Sequence, residues 1–300
     1  MNIRINEVLT TITELLTTPA AVDKKTVIPN VGFISCASAV NIRHVPFHDP
    51  CVILVLSGRK TLYEGAQAVT AQAGEVLTVP APASFYLRNE PDRHSRKYRA
   101  LIIPFSIEQL ERVGNMHNFD HEWQRQQIRI LHFTHDTEFL SAIQHYLEPN
   151  EQPSLINHRL MEVLLILINK NPQLLSYILS QQSWSRRVRS IMATDLTVVW
   201  DIAGVCARLA TTESTLRRRL KNENTGFREI LSELRLSFAL MQLLQTTLPI
   251  NKIAFDCGYQ SVSHFSSNFH KRFGLPPREL RAAMNESEQN LTVSEQPCLT

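Results

Sequence analysis

The sequence has no apolar run long enough to cross a membrane, and its first residues do not resemble a signal peptide. The longest apolar run, Val163–Ile168, is much shorter than the roughly 20 residues that a membrane-spanning helix needs. Residues 1–18 mix polar side chains among the apolar ones, so the continuous apolar segment of a signal peptide is missing. The sequence therefore predicts a protein without a membrane partner.

Cysteine is sparse, and its spacing shows no pairing pattern. The five cysteines are scattered, odd in number and form no Cys-x-x-Cys pair. This distribution favours buried thiols in a reducing cytoplasm over disulfides or a zinc site. We therefore expect a cytoplasmic protein with no metal ion and no cofactor. The cysteines are Cys36, Cys51, Cys206, Cys257 and Cys298.

A strong overall charge is also missing, but the charge is unevenly distributed. The 300 residues carry a net charge of +3, whereas Ser183–Asn285 alone holds 15 Lys and Arg against 8 Asp and Glu. A basic block beside a near-neutral remainder is typical of a nucleic-acid-binding domain, although a solvated charged surface gives the same count. We expect a near-neutral first domain at 1–182, a DNA-binding domain at 183–285 and a disordered tail at 286–300.

The first domain is predicted to combine a β-barrel with helices, so the fold class is α+β. Apolar residues at helical spacing predict a helix over Ile5–Leu16, and helices are again expected at Ile107–Val113, Phe139–Leu147, Leu155–Asn169 and Leu174–Leu179. Between residues 28 and 104 short β-rich runs alternate with turn residues, which is typical of a barrel or sandwich. The predicted strands are Gly32–Ser35, Cys51–Ser57, Thr61–Tyr63, Glu75–Pro80, Phe85–Leu87 and Tyr98–Ile103, with a further one possible within Ile128–Phe133.

The C-terminal domain contains a first helix-turn-helix pattern, in which a support helix is followed by a turn and a second helix. Thr212 is expected to cap the second helix, while Leu216 and Leu220 hold it on the core. Its outward face then presents polar and cationic groups, and arginine can bond guanine through a bidentate fork. The support residues are Ile202, Val205, Cys206 and Leu209, and the outward ones are Ser214, Arg217, Arg218 and Lys221.

A second pattern of the same kind follows about fifty residues later. Gly258 is expected to form the turn at a positive φ, Ser261 to cap the next helix, and Phe265 and Phe269 to anchor it. The outward face of this helix is less cationic, so base reading through hydroxyl and methyl groups and gripping of the DNA backbone both stay open. A contact of His264 with DNA and a structural role for its ring are likewise both open.

One long amphipathic helix is predicted between the two patterns, over Phe227–Thr246, with Pro249 ending it. Twenty helical residues span roughly 30 Å, which is close to the B-DNA repeat of about 34 Å. Such a rod can place two recognition helices in successive major grooves of a double-stranded DNA. Its expected apolar stripe is Phe227, Ile230, Leu231, Leu234, Phe238 and Met241.

Residues from about 184 to 284 resemble the DNA-binding domain of the AraC/XylS family of bacterial transcription regulators. The sequence departs from the family pattern at Cys206, where alanine is usual, at Thr211–Glu213, which replaces a more apolar turn, and at Ser267, where many members carry arginine. The resemblance is carried by Trp200, Ile202, Ser214–Leu220, Glu223, Thr225–Phe227, Arg235, Ile253, Ala254, Cys257–Tyr259, Ser261, Phe265, Phe269 and Phe273–Pro277.

By position, the resemblance implies base contacts from both recognition helices and a protein that acts as an activator, with RNA polymerase as a partner. In addition to these base contacts, we expect contacts with the DNA backbone from cationic residues and one histidine. The implied base contacts are Ser214, Arg217, Arg218, Val262, Ser263, His264 and Ser267. The assigned backbone contacts are Arg219, Lys221, His270, Lys271 and Arg272.

Cys51–Lys60 and Ala73–Pro80 resemble the cupin-like regulatory domain of the same family. That resemblance implies that residues 1–182 form a regulatory and dimerisation domain, with a small-molecule effector and with dimerisation through later helices. An effector-independent regulator, controlled by its abundance or by a partner protein, stays open as an alternative. A metal-dependent cupin enzyme is disfavoured, because Pro46 separates His44 from His48 and residues 74–89 hold no histidine. We therefore expect no catalytic residues.

Two further features of the first domain have alternative interpretations. The helix at Leu155–Asn169 is apolar nearly all round, so it is either buried or shared with the second subunit of a homodimer. Its predicted dimer contacts are Leu160, Met161, Leu164 and Ile168. Five aromatic residues either line a ligand cavity or belong to the core: Phe33, Phe47, Tyr63, Phe85 and Tyr86.

Overall fold

The computed structural model divides the chain into two compact units. Most of the N-terminal unit lies within residues 1–179 and most of the C-terminal unit within residues 180–283. The structure describes residues 3–17, 31–79, 81, 83–117, 131–133, 137–148, 153–170 and 183–289. The predicted helix at Leu174–Leu179 and most of the predicted tail lie outside these ranges, while residues 286–289 belong to the last helix rather than to a tail.

The N-terminal unit contains nine strands and four helices within the described ranges. The helices are α1 (Ile3–Thr17), α2 (Ile107–His117), α3 (Thr137–Leu147) and α4 (Pro153–Lys170). The strands are β1 (Gly32–Cys36), β2 (Val40–Phe47), β3 (Cys51–Ser57), β4 (Arg59–Glu64), β5 (Gln67–Gln72), β6 (Val76–Val79), β7 (Ala83–Glu90), β8 (Tyr98–Pro104) and β9 (Leu131–Phe133).

The strands form two antiparallel sheets, which confirms the predicted α+β class with a cupin-like β domain. The order is β1-β8-β3-β6-β9 in one sheet and β2-β7-β4-β5 in the other. Two strands were not predicted. The alternation of Val40, Asn41, Ile42 and Arg43 was a usable signal for β2, but β5 is a polar, largely exposed edge strand and carries none.

The core of this unit explains why β3 is a continuous apolar run. Val52, Leu54 and Leu56 pack with α1, α2, α3 and α4 in one cluster. The alternate residues Ile53 and Val55 point to the opposite face of the strand and are also fully buried. A strand covered on both faces reads as unbroken hydrophobic sequence instead of an alternating one.

The other sheet carries one fully buried lysine. Lys60 on β4 is 1% exposed, and its ammonium donates to Asn89 Oδ1 at 2.9 Å and lies 5.8 Å from the centre of the Tyr98 ring. Burial lowers the pKa of Lys60 from 10.5 to about 8, an effect that nearby Cys36 and Cys51 oppose. The folded state therefore disfavours the charged lysine, and the unfolded chain binds more protons than the folded one between these two pH values.

Lys60→Met is expected to stabilise the protein most below pH 8. Its gain over the wild type in free energy of unfolding should shrink by up to about 1.4 kcal/mol per pH unit as pH rises from 8 to 10, because the penalty for the buried charge disappears. Urea denaturation of both proteins across this range gives the difference. Burial raises the pKa of Cys36 and Cys51 to about 12 in the folded state, which opposes the trend in both proteins, so the difference between the two proteins reports on Lys60 better than either curve alone.

Lys170→Met is the matched control, because Lys170 is exposed at the end of α4. Its difference from the wild type should stay constant with pH. A constant difference for Lys60→Met as well would contradict the buried-charge explanation.

The C-terminal unit is helical within the residues that the structure describes. A first group of helices surrounds a core of Val188, Met192, Val205, Leu216 and Ile230. The helices are α5 (Trp184–Met192), α6 (Ile202–Arg208), α7 (Glu213–Asn222), α8 (Phe227–Gln245), α9 (Ile250–Asp256), α10 (Val262–Phe273) and α11 (Pro277–Gln289).

The long helix α8 differs from its prediction in which face it buries. Ile230 and Leu234 are buried as expected, but Phe238 and Met241 are 40% and 38% exposed. The buried residues of the C-terminal half are instead Leu236, Ala239, Leu240 and Leu243. At about 100° per residue these lie on a different side of the helix from Leu234, so α8 serves two separate cores.

The end of α8 was also predicted at the wrong residue. The helix ends at Gln245, Thr246 is extended, and Pro249 occupies the cap position before α9. Arg281 on α11 donates to the backbone oxygens of Thr246 and Leu248. Pro249 and Arg281 therefore shape the connection between α8 and α9.

None of the helices that the structure describes is both long enough and apolar enough to span a lipid bilayer.

Candidate nucleic-acid interface

The first helix-turn-helix motif, α6 and α7, has a defined cap at the start of each helix. The side chain of Asp201 accepts a hydrogen bond from the Gly204 amide at 2.7 Å, and Thr212 Oγ1 accepts from the Thr215 amide at 3.3 Å. The structure confirms the predicted cap at Thr212, whereas the Asp201 cap was missed. An acidic residue directly before the apolar stripe was the available signal.

The support of this motif is buried as predicted. Val205, Cys206 and Leu209 on the support side and Leu216 and Leu220 on α7 are all buried in one cluster. Ile202 is partly buried against the same cluster. The opposite face of α7 is consequently fixed in orientation.

That opposite face carries the cationic groups. Ser214, Arg217, Arg218 and Lys221 are all exposed. Arg217 forms an ion pair with Glu213 one turn earlier at 3.2 Å. Arg218 and Lys221, three residues apart, lie side by side on the helix surface, where their charges add.

Arg219 is exposed as well but lies on another side of α7. Its guanidinium carbon is 5.9 Å from the centre of the Trp184 ring, which Arg187 also covers at 4.6 Å. A group of cationic and aromatic side chains therefore flanks the first motif at α5.

The helix α5 was not predicted, and Glu223 holds its first turn. Ser183 caps the helix, and the Glu223 carboxylate accepts hydrogen bonds from the amides of Trp184 and Ser185 at 2.7 and 2.8 Å. A carboxylate at a helix N-terminus is favourable because the amides there have no partner within the helix. Glu223 lies 39 and 38 positions from Trp184 and Ser185, so no local sequence pattern predicts this contact.

The second motif, α9 and α10, repeats the design with a different core. Ser261 caps α10 by accepting from the His264 amide, and Phe265, Phe269 and Phe273 are fully buried. Adjacent phenyl rings lie 5.7 and 4.6 Å apart between centres. The structure confirms the predicted cap and anchors.

The outer face of α10 is polar and only weakly cationic. Ser263, His264, Ser267, His270 and Lys271 are exposed. Val262 is partly buried at the first turn.

The ring of His264 is held in place at the edge of this face. Its Nε2 is 3.1 Å from Asn268 Nδ2, and Tyr259 meets the ring edge-on at 5.8 Å between centres. His264 is therefore an exposed residue with a defined orientation.

Arg272 makes a contact within the protein that was not predicted. Its guanidinium forms an ion pair with Glu233 on α8 at 3.1 Å, and its side chain is 31% exposed. This contact ties α10 to α8, and the contact of Arg272 with the DNA backbone stays a prediction. Sequence position alone could not distinguish Arg272 from Lys271, which stays exposed.

The turn of the second motif needs a glycine for two reasons. Gly258 has a φ of +78°, as predicted, and a Cβ there would lie 2.3 Å from the Leu196 carbonyl oxygen and 2.7 Å from Arg235 Nη2. Residues with a side chain rarely adopt this backbone conformation. The close approach brings the turn of the second motif against the segment before the first.

Gly258→Ala is expected to lower the free energy of unfolding by more than about 2 kcal/mol, because positive φ and steric overlap both add to the cost. Urea denaturation of the full chain measures the loss. Gly65→Ala separates the two causes, since Gly65 has a φ of +60° but open space around a Cβ. That control should lose only about 1–2 kcal/mol, from φ alone. Equal losses in both variants would refute the close-approach argument.

The predicted dimerisation residues lie mostly inside the N-terminal unit. Leu160, Leu164 and Ile168 are 4%, 0% and 0% exposed, because this face of α4 packs into the cluster shared with α3. This corrects the expectation that they face a second subunit. Met161 is partly buried against the same cluster.

The aromatic residues of the N-terminal unit divide between core and surface. Phe85 is 2% exposed and packs on Phe47 at 5.7 Å between centres, whereas Tyr86 is 36% exposed and pairs with Tyr63 at 4.9 Å. Phe33 and Phe47 pack partly buried against the core. Within the described part of the chain, no three His, Cys, Asp or Glu side chains are grouped as a metal-binding set.

Comparison with known families matches both units. The profile of a helix-turn-helix domain matches residues 205–283, and that of the ExsA N-terminal regulatory domain matches residues 50–177. The chain is 33% identical over 128 residues to the DNA-binding dual transcriptional regulator Rns of Escherichia coli, covering 41% of this chain and 48% of Rns. It is 33% identical over 118 residues to the HTH-type transcriptional activator CfaD of E. coli, covering 39% and 44%.

These alignments span about half the length of the relatives. Over the whole chain, the fold resembles that of ToxT from Vibrio cholerae bound to an unsaturated fatty acid, with a TM-score of 0.63 and 15% identity. The superposition covers 89% of this chain and 97% of ToxT. At this identity the likeness concerns the fold.

A double-sheet unit followed by two helix-turn-helix motifs on a shared helix defines a class of two-unit helix-turn-helix proteins. Both profiles and the curated relatives are those of AraC/XylS-family bacterial transcription regulators, and this chain is similar to that family in both of its units.

Proposed function

We propose that the protein is a sequence-specific DNA-binding transcription regulator, acting as an activator in the cytoplasm. The observation that carries the proposal is the orientation of α7: its leucines are buried, so Ser214, Arg217, Arg218 and Lys221 share one exposed face. A helix of this kind fits the major groove of B-DNA. Similarity to the family and the named activities of Rns and CfaD support it.

In this proposal the two recognition helices have unequal roles. Arg217 and Arg218 on α7 read base edges, with Lys221 and Arg219 toward the phosphates. On α10, Ser263, His264 and Ser267, with Val262, contact bases through weaker groups, and His270 and Lys271 contact the backbone. Affinity then depends on both helices, while base specificity depends more on α7.

Arg218→Ala is expected to weaken binding to a cognate site by roughly 1–3 kcal/mol and to relax the base preference at one position. The reason is the loss of a bidentate fork that only guanine satisfies. The cognate site is first selected by the wild-type protein from a random pool of double-stranded DNA. Fluorescence anisotropy on that site and on each single-base variant measures the change.

Arg278→Ala serves as the matched control, because it removes the same charge from an exposed position on α11, which is not one of the two recognition helices. It should leave the base preference intact. If Arg218→Ala lowered binding to cognate and random DNA by the same factor, Arg218 would be a backbone contact and the assignment of base reading would be wrong.

The N-terminal unit is proposed to regulate this activity, through a small-molecule effector, a homodimer or both. The match of residues 50–177 to a regulatory domain and the fold likeness to a fatty-acid-bound protein support this. RNA polymerase is the proposed partner at the promoter.

An unsaturated fatty acid is the first effector class to test, given the ligand of ToxT. A ligand that binds only the folded state raises thermal stability by an amount that grows with the logarithm of its concentration once that exceeds Kd. A rise in melting temperature together with a change in DNA affinity would support an effector of this class. No change in either quantity would favour the effector-independent alternative, in which abundance or a partner protein controls the regulator.

A further inference from the structure

One turn of α8 makes polar contacts with both helix-turn-helix motifs. Glu233 Oε2 accepts from Arg189 Nη2 on α5 at 2.9 Å, and its Oε1 accepts from Arg272 Nη2 on α10 at 3.1 Å. The helix α5 packs in the core of the first motif, and α10 is the recognition helix of the second. A single carboxylate thus connects the two motifs through charge-assisted hydrogen bonds.

Arg235, two residues further along α8, makes a second connection. Its Nε donates to the Leu196 carbonyl and its Nη2 to the Val198 carbonyl, each at 3.2 Å. Both acceptors belong to the segment that leads into the first motif. On the other side its guanidinium lies against Gly258, the turn glycine of the second motif.

A third contact reinforces the second motif on the same turn of α8. Tyr259 is 8% exposed, and its phenol is near Asn268 on α10 and Ser232 on α8. Burial raises the pKa of this phenol, and the two polar neighbours oppose that rise. The phenol is therefore a buried polar link between the turn, α10 and α8.

These contacts constrain the relative orientation of the two motifs as well as the distance between them. The Arg189, Glu233 and Arg272 side chains are 18%, 27% and 31% exposed, so solvent only partly screens them. Without Glu233, two guanidinium groups on different motifs would face each other without a shared counter-charge. Apolar packing against α8 is non-directional and permits small rotations, whereas bidentate and charge-assisted hydrogen bonds favour one geometry.

We propose that this polar hub, composed of Arg189, Glu233, Arg235 and Arg272, fixes the separation and angle of α7 and α10 and thereby sets the spacing of DNA half-sites that the protein accepts. The four are positioning residues. The inference rests on the proposed function, since spacing matters only if both helices bind one duplex.

The geometry of DNA makes the consequence measurable. Each inserted base pair moves one half-site along the axis and rotates it, by about one tenth of a turn in B-DNA. A protein whose recognition helices are held rigidly rejects such an insertion. A protein whose helices can adjust tolerates it, at the cost of weaker binding to the native spacing.

The first experiment uses the free protein and no DNA. Spin labels at Asn222→Cys and Lys271→Cys, both exposed, report the distance between α7 and α10 by double electron–electron resonance, with Cys298 replaced by Ser. The distance distribution of Glu233→Ala should broaden or shift relative to the hub-intact protein. Glu229→Ala, an exposed carboxylate one turn earlier on α8, is the matched control and should leave it unchanged.

The second experiment measures affinity for the DNA site selected by the wild type and for the same site with one or two base pairs inserted between the half-sites. For the wild type we expect a loss of roughly tenfold or more on insertion. For Glu233→Ala and for the milder Glu233→Gln and Arg235→Lys, the loss should be several-fold smaller. Glu233→Gln retains the side-chain size, so it keeps the test valid should the alanine variant not fold.

The outcomes separate the two proposals. If the wild type selects no DNA, the proposed function fails, while the distance measurement still tests the hub. If the wild type binds but the hub variants keep both its distance distribution and its spacing preference, the hub inference is overturned. A uniform loss of affinity at every spacing, with a lowered melting temperature, would identify a purely structural role and equally overturn it.

Discussion

The C-terminal unit depends on one helix that belongs to two cores. The first half of α8 buries Ile230 and Leu234 in the first motif, and its second half buries Leu236, Leu240 and Leu243 on a different side. Nineteen residues extend roughly 28 Å, somewhat less than one repeat of B-DNA. Because both recognition helices rest on this one rod, any change in its rotation moves one helix relative to the other.

The two motifs share this scaffold but present different chemistry. On α7 the exposed groups are two arginines and a lysine around Ser214, whereas α10 shows serines and histidines. In the proposed function, long-range attraction and base-specific forks therefore concentrate at the first motif. The second motif adds contact area and weaker polar groups, so its contribution to affinity depends on how accurately α10 is positioned. That dependence makes the geometry of α8 matter more than the strength of any contact on α10.

Local features of the sequence predicted the motifs well, because their causes are local. The caps at Thr212 and Ser261 and the positive φ at Gly258 follow from the residue types themselves, and all three are present. The rotation of the buried face along α8 was not predictable, because it follows from where the second core lies. The role of Arg272 depends likewise on a partner 39 residues away. In the N-terminal unit, α4 reads as apolar all round, and only the fold reveals that Leu164 and Ile168 face inward.

The two units also differ in how their buried charged groups affect stability. In the N-terminal unit the Lys60 ammonium has Asn89 as its hydrogen-bond acceptor, so its burial opposes the charged form and costs stability near neutral pH. In the C-terminal unit Glu233 is partly exposed and bonded on both oxygens, so the desolvation is smaller and the geometry is specified from two sides. Partly buried ion pairs add little net stability but penalise alternative arrangements strongly, because each alternative leaves a charge unpaired. A regulator that must hold two helices at one spacing needs that penalty more than it needs additional stability.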